Sequence, residues 1–257
     1  MSMSFRSLYQ HGFARVAACT LSCALAEPAK NVRAIVETAV RLDAEGVALG
    51  IFPELCLSGY SIEDLLLQDT LLDAVERAVD ELLDATAALA PVLVVGAPLR
   101  YAGRIYNTAL VLHRGRLLGV APKSYLPTYR EFYERRQCAA GDQTKGTIRL
   151  ARQDVPFGPD LLFEAEDVPG FVLHAEICED FWVPIPPAPK PRWPAPPSWR
   201  ICQAVPSPSV GRIRANSYAA PNPCAAWPLT SMPRRGQANP PPKWPGTANA
   251  LSMKTAN

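Results

Sequence analysis

Acidic residues run out before the chain does. All 24 Asp and Glu of the 257-residue chain lie at or before Asp180, and residues 184–257, 74 in number, contain none. At the density of the preceding part, that stretch would carry roughly ten. It holds nine Lys and Arg against 17 in residues 1–183, 18 of the 27 prolines, and four of the five Trp. Two unlike sequences are joined end to end. Histidine is also scarce: His11, His113 and His174 are the only three, and neither a CxxC nor an HxxxH spacing occurs. A structural metal site is therefore not expected. The seven Cys are an odd number at irregular spacing. That argues against a disulfide framework and for a reducing, cytoplasmic setting. No run approaches the ~18 apolar residues of a membrane span. Residues 16–26 are mostly apolar, follow Arg6 and Arg15, and end Ala24-Leu25-Ala26, which resembles a short secretory segment. The reading preferred here is a buried first strand over 15–22 that leads into a helix.

What is present up to about residue 187 has α/β periodicity. Pro28 stands where a helix would start. Val32, Ile35, Val36, Ala39 and Val40 then fall on one face, with Arg33, Glu37 and Arg41 opposite and Gly46 as the stop. Residues 47–55 form a short apolar run of strand length ending in Pro53-Glu54. A second helix is expected from near Thr70, with Asp73 placed for a capping box, a stripe of Val75, Val79, Leu82 and Leu83, and Pro91 as its stop. Residues 92–99 read as a buried strand. Residues 105–112 and 117–120 flank His113-Arg114-Gly115-Arg116 as a β-hairpin. Residues 121–141 read as a polar, aromatic-rich loop region, and 171–177 as a strand that delivers Cys178. This order predicts an α/β sandwich with helices packed on sheet faces. From residue 186 onward, runs such as Pro186-Pro187-Ala188-Pro189 and Pro240-Pro241-Pro242 cannot continue a helix or a central strand.

Three residues share a position in this scheme. Glu54, Lys123 and Cys178 each close a strand or open the loop after it, where ligands gather in α/β sheets. A cysteine thiolate can attack an amide carbonyl and expel ammonia, leaving a thioester. A carboxylate can take the thiol proton and return it to the leaving amine, and a fixed cation can stabilise the oxyanion and favour the thiolate. Taken one at a time, a strand-end Cys is more often a small buried residue, and a Lys more often a solvated one.

The local sequences alter that balance. Phe52-Pro53-Glu54-Leu55 followed by Leu57-Ser58-Gly59-Tyr60 resembles the glutamate motif of the nitrilase superfamily. Lys123-Ser124-Tyr125-Leu126-Pro127 resembles its lysine motif, and Glu176-Ile177-Cys178-Glu179-Asp180 its nucleophile motif, in the family's order. Ser58-Gly59-Tyr60 with Asp64-Leu65-Leu66, the stretch Leu126-Pro127-Thr128-Tyr129-Arg130-Glu131-Phe132-Tyr133-Glu134-Arg135-Arg136, and Glu179-Asp180 narrow the resemblance to the glutaminase domains of glutamine-dependent NAD synthetases. It runs from about Gly12 to Pro187.

The resemblance implies a nitrilase-like αββα sandwich that hydrolyses L-glutamine to glutamate, its ammonia serving to amidate nicotinic acid adenine dinucleotide in a synthetase domain. By motif, Glu54 is the general base, Lys123 stabilises the tetrahedral intermediate, Cys178 is the nucleophile, and Tyr129 contacts glutamine. Tyr60, Phe132 and Glu179 are further substrate-side candidates, for each of which packing or loop bracing is the plainer role. No metal or cofactor is implied for the glutaminase part; ATP and Mg belong to the synthetase domain. No nucleic-acid or membrane partner is implied, and full-length relatives are expected to be homo-oligomers.

Two departures stand out. The family's later Ser and Arg that hold glutamine have no match after the cysteine loop, and no Ser-Gly-Gly-type ATP loop is present. The expected organisation is therefore a partial glutaminase domain over 1–187 and a basic, proline-rich, disordered tail over 188–257, with the synthetase domain absent. The tail reads like out-of-frame translation of G- and C-rich coding sequence, and such a chain is expected to be inactive. A stand-alone nitrilase-type amidase is an alternative. So is an interaction protein whose arm carries Pro191-Arg192-Trp193-Pro194, a PxxP pattern.

Overall fold

The computed structural model of the chain describes residues 13–168, 171–187, 198–203 and 253–256, the last two as backbone strands only. Eleven strands and two α-helices are described. Seven strands form one sheet in the order β1-β2-β3-β4-β5-β7-β6 and four form a second in the order β10-β9-β8-β11.

Helix α1 spans Pro28–Ala44, with Pro28 at its start as the sequence predicts. Its end is fixed by hydrogen bonds from Val47 N–H to the Leu42 carbonyl and from Gly46 N–H to the Asp43 carbonyl. Gly46 takes a φ of +66° there, a conformation that costs glycine little. Helix α2 spans Asp69–Thr86 and buries Val75, Val79, Leu82 and Leu83 as expected. Its N-terminus differs from expectation. No side chain caps it, because the helix begins at Asp69 after Gln68 and so carries Thr70 and Asp73 inside it, past the capping positions; Asp73 joins a cluster with Arg100, which also pairs with Asp69 and Glu76. The helix also ends at Thr86, ahead of Pro91; the Thr86 hydroxyl donates to the Leu82 carbonyl at 2.8 Å.

Strands β1 (Val16–Ala18), β2 (Leu49–Ile51) and β3 (Val92–Tyr101) run parallel. The first two are shorter than their apolar runs, since Pro53 ends the second of them. β4 (Arg104–His113) and β5 (Arg116–Pro122) form the expected hairpin. A second hairpin, β6 (Gly146–Leu150) and β7 (Gln153–Phe157), extends this sheet through β7. Alternate residues of β3 and β4 serve two cores. Leu93, Val95, Ala97, Leu110 and Leu112 pack with the helices. Val92, Val94, Ala109 and Val111 pack with Phe163, Leu173, Ala175 and Ile177 of β8 (Leu162–Ala165) and β9 (Val172–Ile177). Burying each Val, Leu, Ile or Phe among them contributes about 1.5–3 kcal/mol.

The layers are thus helix, sheet, sheet, and among the described residues no helix covers the outer face of the second sheet. The tail expected as disordered lies mostly outside the described residues, as does its PxxP segment. Two short strands are described within it: β10 (Ser198–Gln203) pairs parallel with β9, and β11 (Met253–Ala256) pairs antiparallel with β8. Backbone pairing explains this, because β8 and β9 would otherwise present open edges. Among the described residues, no helix is long and apolar enough to cross a membrane.

Candidate active site

Glu54 follows β2 in a tight turn, with Leu55 at a φ of 52°. The turn lies flat on β3 because residue 96 is glycine. A Cβ there would stand 2.3 Å from the Leu55 nitrogen and 2.6 Å from the Pro53 oxygen. Lys123 follows β5. Its N–H donates to the Asn107 carbonyl and its own carbonyl accepts from Gly141 N–H, each at 2.8 Å. Cys178 follows β9 and opens a single 3-10 turn, Cys178–Phe181, with a φ of 49°. Left-handed backbone at a residue with a side chain costs roughly 1–2 kcal/mol, so neighbouring contacts must hold it.

The structure brings these strand ends together. Lys123 is fully buried, and its Nζ donates to Glu54 Oε1 at 2.7 Å and to Glu134 Oε1 at 2.7 Å. Asn107 Nδ2 donates to the same Glu54 oxygen at 2.6 Å. Glu54 Oε2 accepts no hydrogen bond from the described residues. Cys178 is half-buried and acts electrostatically on Lys123, Tyr60 and Tyr129.

The charges divide unequally. Two carboxylates share one ammonium in a buried space. Burial pushes the Glu54 carboxyl up, the ammonium of Lys123 pulls it down, and the charge of Glu134 pushes it up again; the result is a carboxyl held above its ordinary range. Burial opposes the charge on Lys123, but Glu54, Glu134 and Cys178 more than offset this, so its ammonium is held above its ordinary value. A fixed cation and a carboxylate ready to take up a proton are the result.

Glu134 and Asn107 were not among the residues singled out from the sequence. Glu134 sits in the loop that follows Lys123, at the start of a 3-10 turn, Glu134–Arg136. Three ties fix this loop to the segment after Glu54. Tyr60 donates to Glu134 Oε1 at 2.6 Å, Tyr133 donates to Glu63, and Arg136 pairs with Asp64 at 2.6 Å. Tyr60 therefore acts on the cluster through Glu134. Burial and the Glu134 carboxylate hold its phenol far above its ordinary value, so it remains a donor.

Phe132 packs edge-on to Tyr60, centroids 6.5 Å apart, and to Tyr129, 6.1 Å apart. Tyr129 is 52% exposed and donates to Glu179 Oε2 at 2.9 Å. Tyr60, Phe132, Tyr129 and Glu179 thus form a continuous wall from the buried cluster to the surface beside Cys178. Burial pushes the thiols of Cys19 and Cys138 up to about 11 and about 12, and those of Cys23 and Cys56 up as well. Among the described residues, no group of three or more His, Cys, Asp or Glu is arranged to hold a metal ion.

Residues 15–185 match the carbon-nitrogen hydrolase family. Over 186 residues the chain is 63% identical to the glutamine-dependent NAD(+) synthetase of Mycobacterium tuberculosis strain H37Rv, and 59% identical to that of Mycobacterium leprae. In both cases the match covers 72% of this chain and 27% of the relative, so the chain spans about a quarter of their length. The crystal structure of a glutamine-dependent NAD(+) synthetase from Cytophaga hutchinsonii superposes with a TM-score of 0.59 at 26% identity, over 65% of this chain and 28% of that one.

Proposed function

The chain belongs to the carbon-nitrogen hydrolase family, and from that premise we propose that it carries the glutaminase half of a glutamine-dependent NAD synthetase. The observation that carries this reading is the donation of both Lys123 and Asn107 to one oxygen of Glu54, while its other oxygen accepts nothing from the described residues. In this reading that second oxygen is the one that exchanges a proton with the half-buried thiol of Cys178. The relatives matched along this span are named for glutamine dependence, which supports glutamine over other amides.

In the proposed reaction the Cys178 thiol gives its proton to Glu54, and its sulfur bonds to the carbon of the glutamine side-chain amide. Lys123 stabilises the oxyanion that forms. The carbon–nitrogen bond then breaks, Glu54 returns the proton to the leaving nitrogen, and ammonia departs from a thioester. Water, deprotonated by Glu54, attacks the thioester; the carbon–sulfur bond breaks, Cys178 recovers its proton, and glutamate leaves. Tyr129 and Glu179 at the mouth, with Tyr60 and Phe132 behind them, form the glutamine-facing wall. The ammonia serves amidation of nicotinic acid adenine dinucleotide by a synthetase activity outside these residues. Only side chains enter this chemistry, and no cofactor is required.

The test is covalent capture. A diazoketone analogue of glutamine, at limiting concentration, is expected to modify the 257-residue chain once, at Cys178 by peptide mass, and excess glutamine is expected to slow it. Equal modification of Cys56 and Cys138 would overturn the assignment. Capture of Cys178 by chloroacetamide with no preference for the glutamine-shaped reagent would favour a general amidase instead.

A further inference from the structure

Asp180 lies two residues past the proposed nucleophile, 1% exposed, and its carboxylate faces backbone rather than solvent or substrate. Its Oδ1 accepts the N–H groups of Ser124 at 3.0 Å and Tyr125 at 2.8 Å. Its Oδ2 accepts that of Ile177 at 3.3 Å. Ser124 and Tyr125 follow Lys123 directly, and Ile177 precedes Cys178. One side chain therefore gathers the backbone on both sides of the site, from two strands in different sheets. It grips the cysteine turn next to the residue held at a φ of 49°, where restraint is most needed.

We propose that Asp180 is a positioning residue for the Cys178 reaction: its carboxylate locks the nucleophile turn to the chain that bears Lys123, and so sets the approach of sulfur to ammonium. This rests on the glutaminase reading of the site. Three N–H groups converging on a carboxylate are charge-assisted bonds, about twice as strong as neutral ones. The arrangement is not the cheapest way to fill the space. Burial pushes the Asp180 carboxyl up to about 6, against the backbone N–H groups of Tyr125, Ile177 and Ser124 and the charge of Lys123, which favour ionisation. Lys123 is the charged group that acts on it from the facing strand; Cys178 and Glu179 share its own turn. A carboxylate kept ionised here at neutral pH at a cost in desolvation points to placement rather than stability. As pH falls through about 6 the group takes up a proton, and the clamp loses its charge. By linkage its raised carboxyl lowers fold stability as pH rises through the window from 3.8 to about 6, so stability and capture should respond oppositely to pH across that range.

Asp180→Asn and Asp180→Glu chains are compared with the parent for the rate of diazoketone capture at Cys178 between pH 5 and 8, and for thermal melting. Asp180→Asn is expected to melt within a few degrees of the parent, to capture about tenfold to 100-fold more slowly at pH 7.5, and to lose the parent's inflection near pH 6. Asp180→Glu, which keeps the charge, is expected to retain an inflection, displaced from the parent's. Parental capture in Asp180→Asn, or one shared inflection in both, overturns the inference. If Asp180→Asn fails to fold, Asp180→Glu decides: a displaced inflection supports the clamp and an unmoved one overturns it. A parent that captures nothing at any pH overturns the glutaminase reading first, and this inference with it.

Discussion

The Nζ of Lys123 lies 2.7 Å from Oε1 of Glu134, a residue eleven positions further along the same loop region. The contact turns an ion pair into a three-charge cluster with one negative charge in excess. Glu134 raises the carboxyl of Glu54 and, with it, holds the Lys123 ammonium. Glu134→Gln keeps the shape and both hydrogen bonds but removes that charge. Glu54 should then become a weaker base. We expect capture at Cys178 to slow about tenfold, with the acid limb of its pH profile moving to lower pH. Tyr60→Phe, which removes only the donor to Glu134, should slow capture less. A Glu134→Gln chain with an unmoved limb would show that Glu134 does not tune the base.

Removing Lys123 should expose the same electrostatics through stability. Lys123→Met leaves Glu54 and Glu134 buried without their cation, at a cost of about 3–5 kcal/mol near neutral pH. The Glu54 carboxyl would then sit further above its unfolded value. The folded state would bind more protons than the unfolded one, so stability would fall as pH rises. The urea midpoint of Lys123→Met should be higher at pH 5 than at pH 8, and capture should be lost at both. A drop in midpoint equal at the two pH values would mean that the carboxylates find other partners.

Gly96 gives a packing prediction. The Pro53-Glu54-Leu55 turn rests on a position where a Cβ would overlap its backbone. Gly96→Ala must push that turn outward, at about 1–3 kcal/mol of overpacking. The displacement moves Glu54 away from Lys123 and Asn107, so capture should fall much more than the melting temperature does. Capture at the parental rate in a folded Gly96→Ala chain would show that the turn is placed by other contacts.

Much of this architecture is legible along the chain because apolar periodicity directly encodes burial. α1, α2, β3 and the β4–β5 hairpin follow from it, and Glu54, Lys123 and Cys178 were found by asking what stands at strand ends. Glu134 was hidden by its neighbours. Between Tyr133 and Arg135-Arg136 it looks like one more solvated charge, yet the turn sends it inward and the arginines outward. Asn107 did leave a signal, a polar amide that with Thr108 interrupts the apolar stretch of β4. The β6–β7 hairpin turns through Ala151 and Arg152, at φ of 51° and 59°. That geometry ordinarily calls for Asn or Gly, so the turn carries no sequence mark. Asp73 shows the converse: the Thr70 to Asp73 spacing matches a capping box, but the helix begins at Asp69, so both residues lie inside it and Asp73 pairs with Arg100.

The last prediction concerns turnover. Capture by a reactive electrophile needs only a nucleophile in place, whereas hydrolysis needs the amide held through two successive attacks. The resemblance supplies a Ser and an Arg that hold glutamine after the cysteine loop, and the proline-rich sequence from residue 186 matches neither. Each missing charge-assisted hydrogen bond is worth about 1.5–3 kcal/mol, or roughly ten- to 100-fold in rate at low substrate. Two such losses leave at most a small fraction of a complete site's activity, even with Glu54, Lys123 and Cys178 in register. Steady ammonia release from glutamine by the 257-residue chain should therefore match that of its Cys178→Ala variant, while diazoketone capture distinguishes the two. Release well above that control would mean that Tyr129, Glu179 and their neighbours hold glutamine unaided, and that the half-site is sufficient for hydrolysis.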